Sequence, residues 1–413
     1  MASIRLLVMF VACLLVACAP SPAAIASASP TVASSLSTPV PSASASASVS
    51  ASPAASPTAT ARPDCATATL TRMTTDQRIG QLFLLGLAND QLGPVETNAI
   101  RTEHFGSVWL TEQTTAGATA IRALASSAQA LATSETTAGV RFFVAANQEG
   151  GIIQSLSGAG FSTIPSALAQ SAVDPALLRA QAAQWGRELG SAGINLNFAP
   201  VLDVVPPGTD AQNEPIGVLK RGYGHDPATV SAHGLAFLGG MEDSGVVTTA
   251  KHFPGLGRVR GNTDFSAQVV DTQTTLTDPS LAPFRNAIAA GVPMVMIALA
   301  TYQQIDPNAL AVFSPIVMRQ LLRGSLGFDG VIVSDDLGAT AAVASIAPAD
   351  RAIDFLAAGG DLIVSKTVAP ALEMAAALRA RAASDSGFRA RIDDAALRVL
   401  RVKVARSLVS CTR

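Results

Sequence analysis

The chain has 413 residues, 49% of them hydrophobic and 14% charged, with 28 basic against 30 acidic side chains and a formal net charge of −2. With no basic run and only 5% aromatic residues, that balance argues against nucleic acid as a partner held by charge. A chain this long and apolar can instead bury a large single core.

Residues 1–18 carry Arg5, an apolar stretch from Leu6 to Val16, and then Ala17-Cys18. The stretch is too short to cross a bilayer as a mature helix and reads as an export signal. Leu15-Val16-Ala17-Cys18 resembles the lipobox of bacterial lipoproteins, in which the cysteine becomes the lipidated mature N-terminus. An ordinary signal peptide that happens to contain cysteines is the alternative. The lipobox reading predicts an exported protein anchored through Cys18 to the outer face of the bacterial cell membrane; without lipidation it would be secreted.

Residues 19–62 are almost entirely Ser, Ala, Pro, Thr and Val, without an aromatic residue and without charge before Arg62. Such a composition buries too little apolar surface to offset its ordering entropy, so an extended tether is expected. The remainder, 63–413, is expected to be one globular domain. Cys13 and Cys18 lie in the signal, whereas Cys65 and Cys411 stand at the two ends of that domain. In an exported protein such a pair points to a disulfide closing the whole fold, with two free structural thiols as the alternative. The spacing does not suggest a metal site.

Eight apolar segments read as strands: Ile79 to Leu87, Gly106 to Leu110, Phe142 to Ala146, Ile194 to Ala199, Val246 to Ala250, Pro293 to Ala298, Val331 to Val333, and Asp361 to Val364. Ala-rich helical stretches separate them. Asp174-Pro175, Asp226-Pro227, Asp278-Pro279 and Ser314-Pro315 each combine a capping oxygen with proline at the first helical position. This alternation predicts a single-domain (β/α)8 barrel of the TIM type, with a doubly wound open sheet as the runner-up.

In a barrel, the residues just beyond each strand's C-terminal end gather at one mouth. Here they are Asn147-Gln148-Glu149-Gly150-Gly151 after the third strand, Pro200 to Asp203 after the fourth, Lys251-His252-Phe253-Pro254-Gly255 after the fifth, and Ser334-Asp335-Asp336 after the seventh. Each could be a capped turn or a satisfied core polar group; the four together point to an active site. Lys251 is one of four lysines in the chain and stands beside one of its four histidines.

With these motifs, the Arg221 segment and Leu326 to Gly330, residues 70–405 resemble family 3 glycoside hydrolases, most closely their single-domain exo-β-N-acetylglucosaminidases. The resemblance implies a retaining glycosidase with no metal or organic cofactor, in which Asp335 attacks the anomeric carbon to form a glycosyl-enzyme. Asp336 is the other carboxylate available for that role. Arg221, Lys251 and His252 match sugar-binding positions, and Asn147 stands where these enzymes usually carry an aspartate. A buried ion pair between Lys251 and a barrel carboxylate such as Asp203 is a further expectation.

The main departure lies after Gly257. Where the resembled enzymes carry Asp-Ser-His, this chain has Asn262-Thr263-Asp264, and the usual histidine is missing. Asp264 could serve as acid/base instead, since a carboxylic acid facing a carboxylate nucleophile is the commoner arrangement in retaining glycosidases; alternatively it caps a turn. Leu256 and Leu299 replace polar residues of related motifs and are expected to make the leaving-group side more apolar. The resulting expectation is release of terminal β-linked N-acetylglucosamine from peptidoglycan- or chitin-derived oligosaccharides. A glycoside phosphorylase and a sugar-binding lipoprotein that has lost turnover are the alternatives.

Overall fold

The computed structural model describes residues 64–411. The expected export signal, Cys18 and the expected tether over 19–62 lie outside them. Eight strands form a closed barrel: β1 (Phe83–Leu87), β2 (Ser107–Leu110), β3 (Phe143–Ala146), β4 (Leu196–Asn197), β5 (Val247–Phe253), β6 (Met294–Ile297), β7 (Val331–Asp336) and β8 (Leu362–Ser365). Every neighbouring pair is parallel, and β1 closes the ring by pairing Phe83 with Ile363 of β8.

Alternation along the strands divides the core in two. Leu84, Phe143, Ala145, Val247, Met294, Val331, Val333 and Leu362 fill the barrel interior. Their neighbours Phe83, Leu85, Val144, Val295, Ile332 and Ile363 pack outward on the helices. All eight expected strands are present, with shifted ends. Ile79 and Gly80 belong to the helix Thr75–Gly80 rather than to β1, because Thr74 and Gln77 close a capping box there. β5 and β7 run on through Lys251–Phe253 and Ser334–Asp336, since ladder pairing continues into their polar ends.

The Asp-Pro signatures start helices as expected. Asp174 accepts from Ala176 and Leu177, Asp226 from Ala228 and Thr229, and Asp278 from Ser280. Ser314 Oγ instead donates to Asp306 at 2.7 Å and accepts from Val317 N, ahead of a π-wound helix over Ile316–Ser325.

The last helix, Ser386–Ala405, covers the barrel floor, where Val399 and Leu408 join the interior cluster. It carries Lys403, fully buried, whose ammonium donates to Gln81 Oε1 at 2.8 Å and the Gly106 carbonyl at 2.7 Å and sits 5.1 Å from the Phe143 ring centre. Burial without a carboxylate partner pushes this amine well below the ordinary lysine range. Cys65 and Cys411, 346 residues apart, are joined by a disulfide that ties the helix Cys65–Arg72 to the chain end.

Candidate active site

The C-terminal strand ends enclose a cavity of about 360 Å³ whose walls include Asn147, Arg221, Lys251, His252, Asp264 and Asp335. Six side chains singled out from widely separated segments therefore share one site. Its apolar lining includes Trp109 and Phe198, packed edge to face with ring centres 5.9 Å apart, and Met296.

A carboxylate not singled out from the sequence organises the polar wall. Glu149, two residues beyond Asn147, accepts from Arg221 through both oxygens, at 2.8 Å from Nε and 2.7 Å from Nη2, and from Lys251 Nζ at 2.6 Å. The expected buried ion pair of Lys251 with a barrel carboxylate is present, but the carboxylate is Glu149 and not the example Asp203. Burial pushes the Glu149 carboxyl up, but Arg221 and Lys251 outweigh it and hold it down to about 2. Burial lowers the Lys251 ammonium from its ordinary value, Glu149 resists, and the Arg221 charge adds to the fall. The directions differ because Lys251 shares one carboxylate with a bidentate Arg221, which takes the larger part of its charge.

Hydrogen-bond capacity shows what remains for a ligand. Lys251 spends one proton on Glu149 and one on Asn147 Oδ1 at 3.0 Å, leaving one. Since an ammonium only donates, this contact fixes the Asn147 amide and turns its NH2 group away as a free donor. Arg221 also donates to the Pro215 carbonyl at 2.9 Å and through Nη2 to His252 Nε2 at 3.4 Å, which leaves one of its five N–H groups.

Asp203 holds His252. Its Oδ2 lies 2.8 Å from His252 Nδ1, while Oδ1 accepts from the His252 and Leu256 backbone N–H groups. A carboxylate on Nδ1 selects the tautomer with the proton there, so Nε2 carries the lone pair and accepts a long 3.4 Å contact from Arg221 Nη2, one a ligand hydroxyl can displace. Asn213 joins two loops, donating to the Leu256 and Val259 carbonyls and accepting from Ile216 and Gly217 N–H. At Gly257 a Cβ would meet the Val204 carbonyl oxygen at 1.9 Å, so only glycine lets the loop lie this close to the β4 end.

At the end of β7, Asp335 accepts a hydrogen bond from Asp336 N at 2.8 Å and faces the cavity. Arg221 and Lys251 are near enough for their charges to interact with it. Asp336 turns to the backbone, accepting from Gly338, Ala339 and Lys366 N–H. Burial raises its carboxyl to about 6 against those donors.

Asn262-Thr263-Asp264 forms an Asx turn, with Asp264 N donating to Asn262 Oδ1 at 3.0 Å. The turn is docked on the segment after β7: Ala341 N donates to the Asp264 carbonyl and Ala342 N to that of Thr263, each at 3.2 Å. The Asp264 side chain is open to the cleft mouth yet flanked by protein, and its carboxyl is raised by that partial burial and by the Asp335 charge, against Arg221, His252 and Lys251.

His104, His225 and His233 are engaged elsewhere, with the carbonyls of Thr136, Val205 and Thr229, and line no part of the cavity. Leu256 lines the cavity, but Leu299 does not: it is buried in the core between barrel and helices. The clue to Glu149 was the period of two, which aligns it with Asn147 on one face of an extended segment. Asn213 carried no sequence signal.

The profile of the glycosyl hydrolase family 3 N-terminal domain matches residues 74–402. A β-hexosaminidase of Stenotrophomonas maltophilia is 32% identical over 292 residues, covering 68% of this chain and 82% of that protein. The crystal structure of a β-N-acetylhexosaminidase from Beutenbergia cavernae is 48% identical with a TM-score of 0.78, covering 80% of this chain and 99% of that one. A family 3 β-N-acetylglucosaminidase from a Paenibacillus species is 30% identical with a TM-score of 0.73, over 83% and 64% of the respective chains. The chain belongs to glycosyl hydrolase family 3 and is a glycoside hydrolase acting on O-glycosyl bonds.

Proposed function

We propose that the protein is a retaining exo-β-glycosidase that releases terminal β-linked N-acetylglucosamine from chitin- or peptidoglycan-derived oligosaccharides. The observation that carries this reading is the presence of two carboxylates, Asp335 and Asp264, on one cavity whose opposite wall offers directed donors and one acceptor. In the first step an Asp335 oxygen bonds to the anomeric carbon as the bond to the leaving oxygen breaks, and Asp264 gives that oxygen its proton. In the second, Asp264, now a carboxylate, takes a proton from water; the water oxygen attacks the anomeric carbon and Asp335 leaves. Two inversions retain configuration.

Asn147 Nδ2, Arg221, Lys251 and His252 Nε2 would hold the sugar hydroxyls and acetamido group. A raised Asp264 carboxyl suits the first step, and its anionic form in the second opposes phosphate as acceptor, which favours hydrolysis over phosphorolysis. Export and lipid attachment at Cys18 complete the proposal: an enzyme tethered at the outer face of the membrane and meeting soluble wall or chitin fragments.

The test is turnover of 4-nitrophenyl N-acetyl-β-D-glucosaminide and of N,N′-diacetylchitobiose by the parent protein, Asp335→Asn and Asp264→Ala. Loss of activity in Asp335→Asn on both substrates, with Asp264→Ala impaired most on the disaccharide, is expected. Sugar binding by the parent protein without turnover of either substrate would overturn the assignment.

A further inference from the structure

The loop from Leu256 to Val269 buries its hydrophobic side chains Leu256, Val259 and Val269 but leaves one out. Phe265 is 83% exposed, the most exposed large hydrophobic side chain among the described residues, and it still borders the cavity. Burying a phenyl ring is favourable, and this loop forgoes that gain. The ring is nevertheless held on a fixed turn: Phe265 N and Ser266 N donate to the Asn262 carbonyl at 3.1 and 2.8 Å, and the preceding two residues are tied to the segment after β7.

Position in the chain gives the ring its use. An acid at Asp264 must reach the oxygen that leaves, so the next residue flanks whatever lies beyond that oxygen. We propose that Phe265 is the platform for the leaving group, receiving the apolar face of a neutral pyranose, and that it determines specificity for a neutral amino sugar over one bearing a carboxylate. The choice of a neutral ring follows from the charges around the cavity. Arg221 and Lys251 are both held on Glu149, and Lys366 lies 3.9 Å from Glu112. Asp335 stands beside Arg221 and Lys251 as a second anion, so among the residues lining the cavity an anionic leaving group would find no uncompensated cation. An aromatic face with its C–H-attracting quadrupole needs none. The proposal deepens the glycosidase reading by narrowing its substrates to chitin-derived rather than peptidoglycan-derived oligosaccharides, and it rests on Asp264 lying on the leaving-group side.

The experiment compares the parent protein with Phe265→Ala and Phe265→Trp on three substrates: N,N′-diacetylchitobiose, the same disaccharide with N-acetylmuramic acid at the reducing end, and N-acetyl-β-D-glucosaminyl fluoride, whose leaving group has no ring. Phe265→Ala should lower kcat/KM on chitobiose about tenfold, mainly through KM, and leave the fluoride unchanged, while Phe265→Trp restores the chitobiose value. The parent protein should prefer chitobiose to the muramic disaccharide by about tenfold or more. An equal fall on the fluoride would reveal a structural role and overturn the proposal, as would an unchanged chitobiose rate or a preference for the carboxylate. Failure of the acid/base reading is separately visible: Asp264→Ala would keep full activity on chitobiose, whereas the ring dependence at Phe265 is read without that variant.

Discussion

Lys251 and Glu149 form an ion pair across the barrel mouth, Nζ to Oε1 2.6 Å, with side chains only 3% and 4% exposed. Because Arg221 clamps the same carboxylate, one anion compensates two cations beside Asp335. Removing one partner of a buried pair strands the other, and here it would strand two.

Glu149→Gln is therefore expected to lower stability by about 3–5 kcal/mol and to abolish most turnover. Glu149's folded pKa lies below its unfolded value, so its contribution is present above about pH 4.5 and lost as pH falls toward 2. Denaturant titrations of parent and variant across that range test this: their difference should shrink on acidification.

The pH profile should identify Asp264. Raised by partial burial and by Asp335, its carboxyl keeps its proton to higher pH than an ordinary aspartate, and kcat/KM on chitobiose should fall as pH rises through that value. Asp264→Ala should lose about 10²–10⁴-fold on chitobiose together with this basic limb, and azide should accelerate it by replacing the missing base. Persistence of the same limb in the variant would exclude Asp264 as the acid.

Lys403 should leave a mark on stability at alkaline pH. Its folded pKa is pushed down by burial, so between that value and the ordinary lysine value the unfolded chain binds the extra proton. Stability contributed by this residue is greatest above the unfolded pKa and declines as pH falls through the window. Lys403→Met should flatten the slope of Tm against pH there, whatever its effect on the absolute Tm from freeing Gln81 and the Gly106 carbonyl.

Cys65→Ser should cost about 2–5 kcal/mol while leaving kcat/KM unaltered, because Cys65 packs beside Leu400 of the last helix, neither cysteine lines the cavity, and the disulfide closes nearly the whole domain. Urea denaturation beside an activity assay distinguishes this from a role at the site.

The barrel was legible because its strands are short apolar runs punctuated by Asp-Pro caps, two local signals that survive without tertiary information. Strand ends were less so: Lys251–Phe253 and Ser334–Asp336 are too polar to read as strand, yet ladder pairing extends through them. The polar wall was legible as a set of residues but not as a network. Choosing Glu149 over Asp203 as the partner of Lys251 depends on which side chain the β3 and β4 ends turn inward, a matter of angstroms that no motif states. Leu299 misled for the same reason, since position after a strand does not say which face a side chain takes.

The proposed chemistry turns on a covalent step at Asp335 assisted by Asp264. Its most direct test is the intact mass of Asp264→Ala during turnover of the 4-nitrophenyl glycoside, followed by peptide mapping. With an activated leaving group the first step needs little acid, whereas the second lacks its base. A glycosyl adduct should therefore accumulate on the peptide containing Asp335 and disappear when azide is added. An adduct on another residue, or turnover with no adduct at any time in both this variant and the parent, would contradict the account.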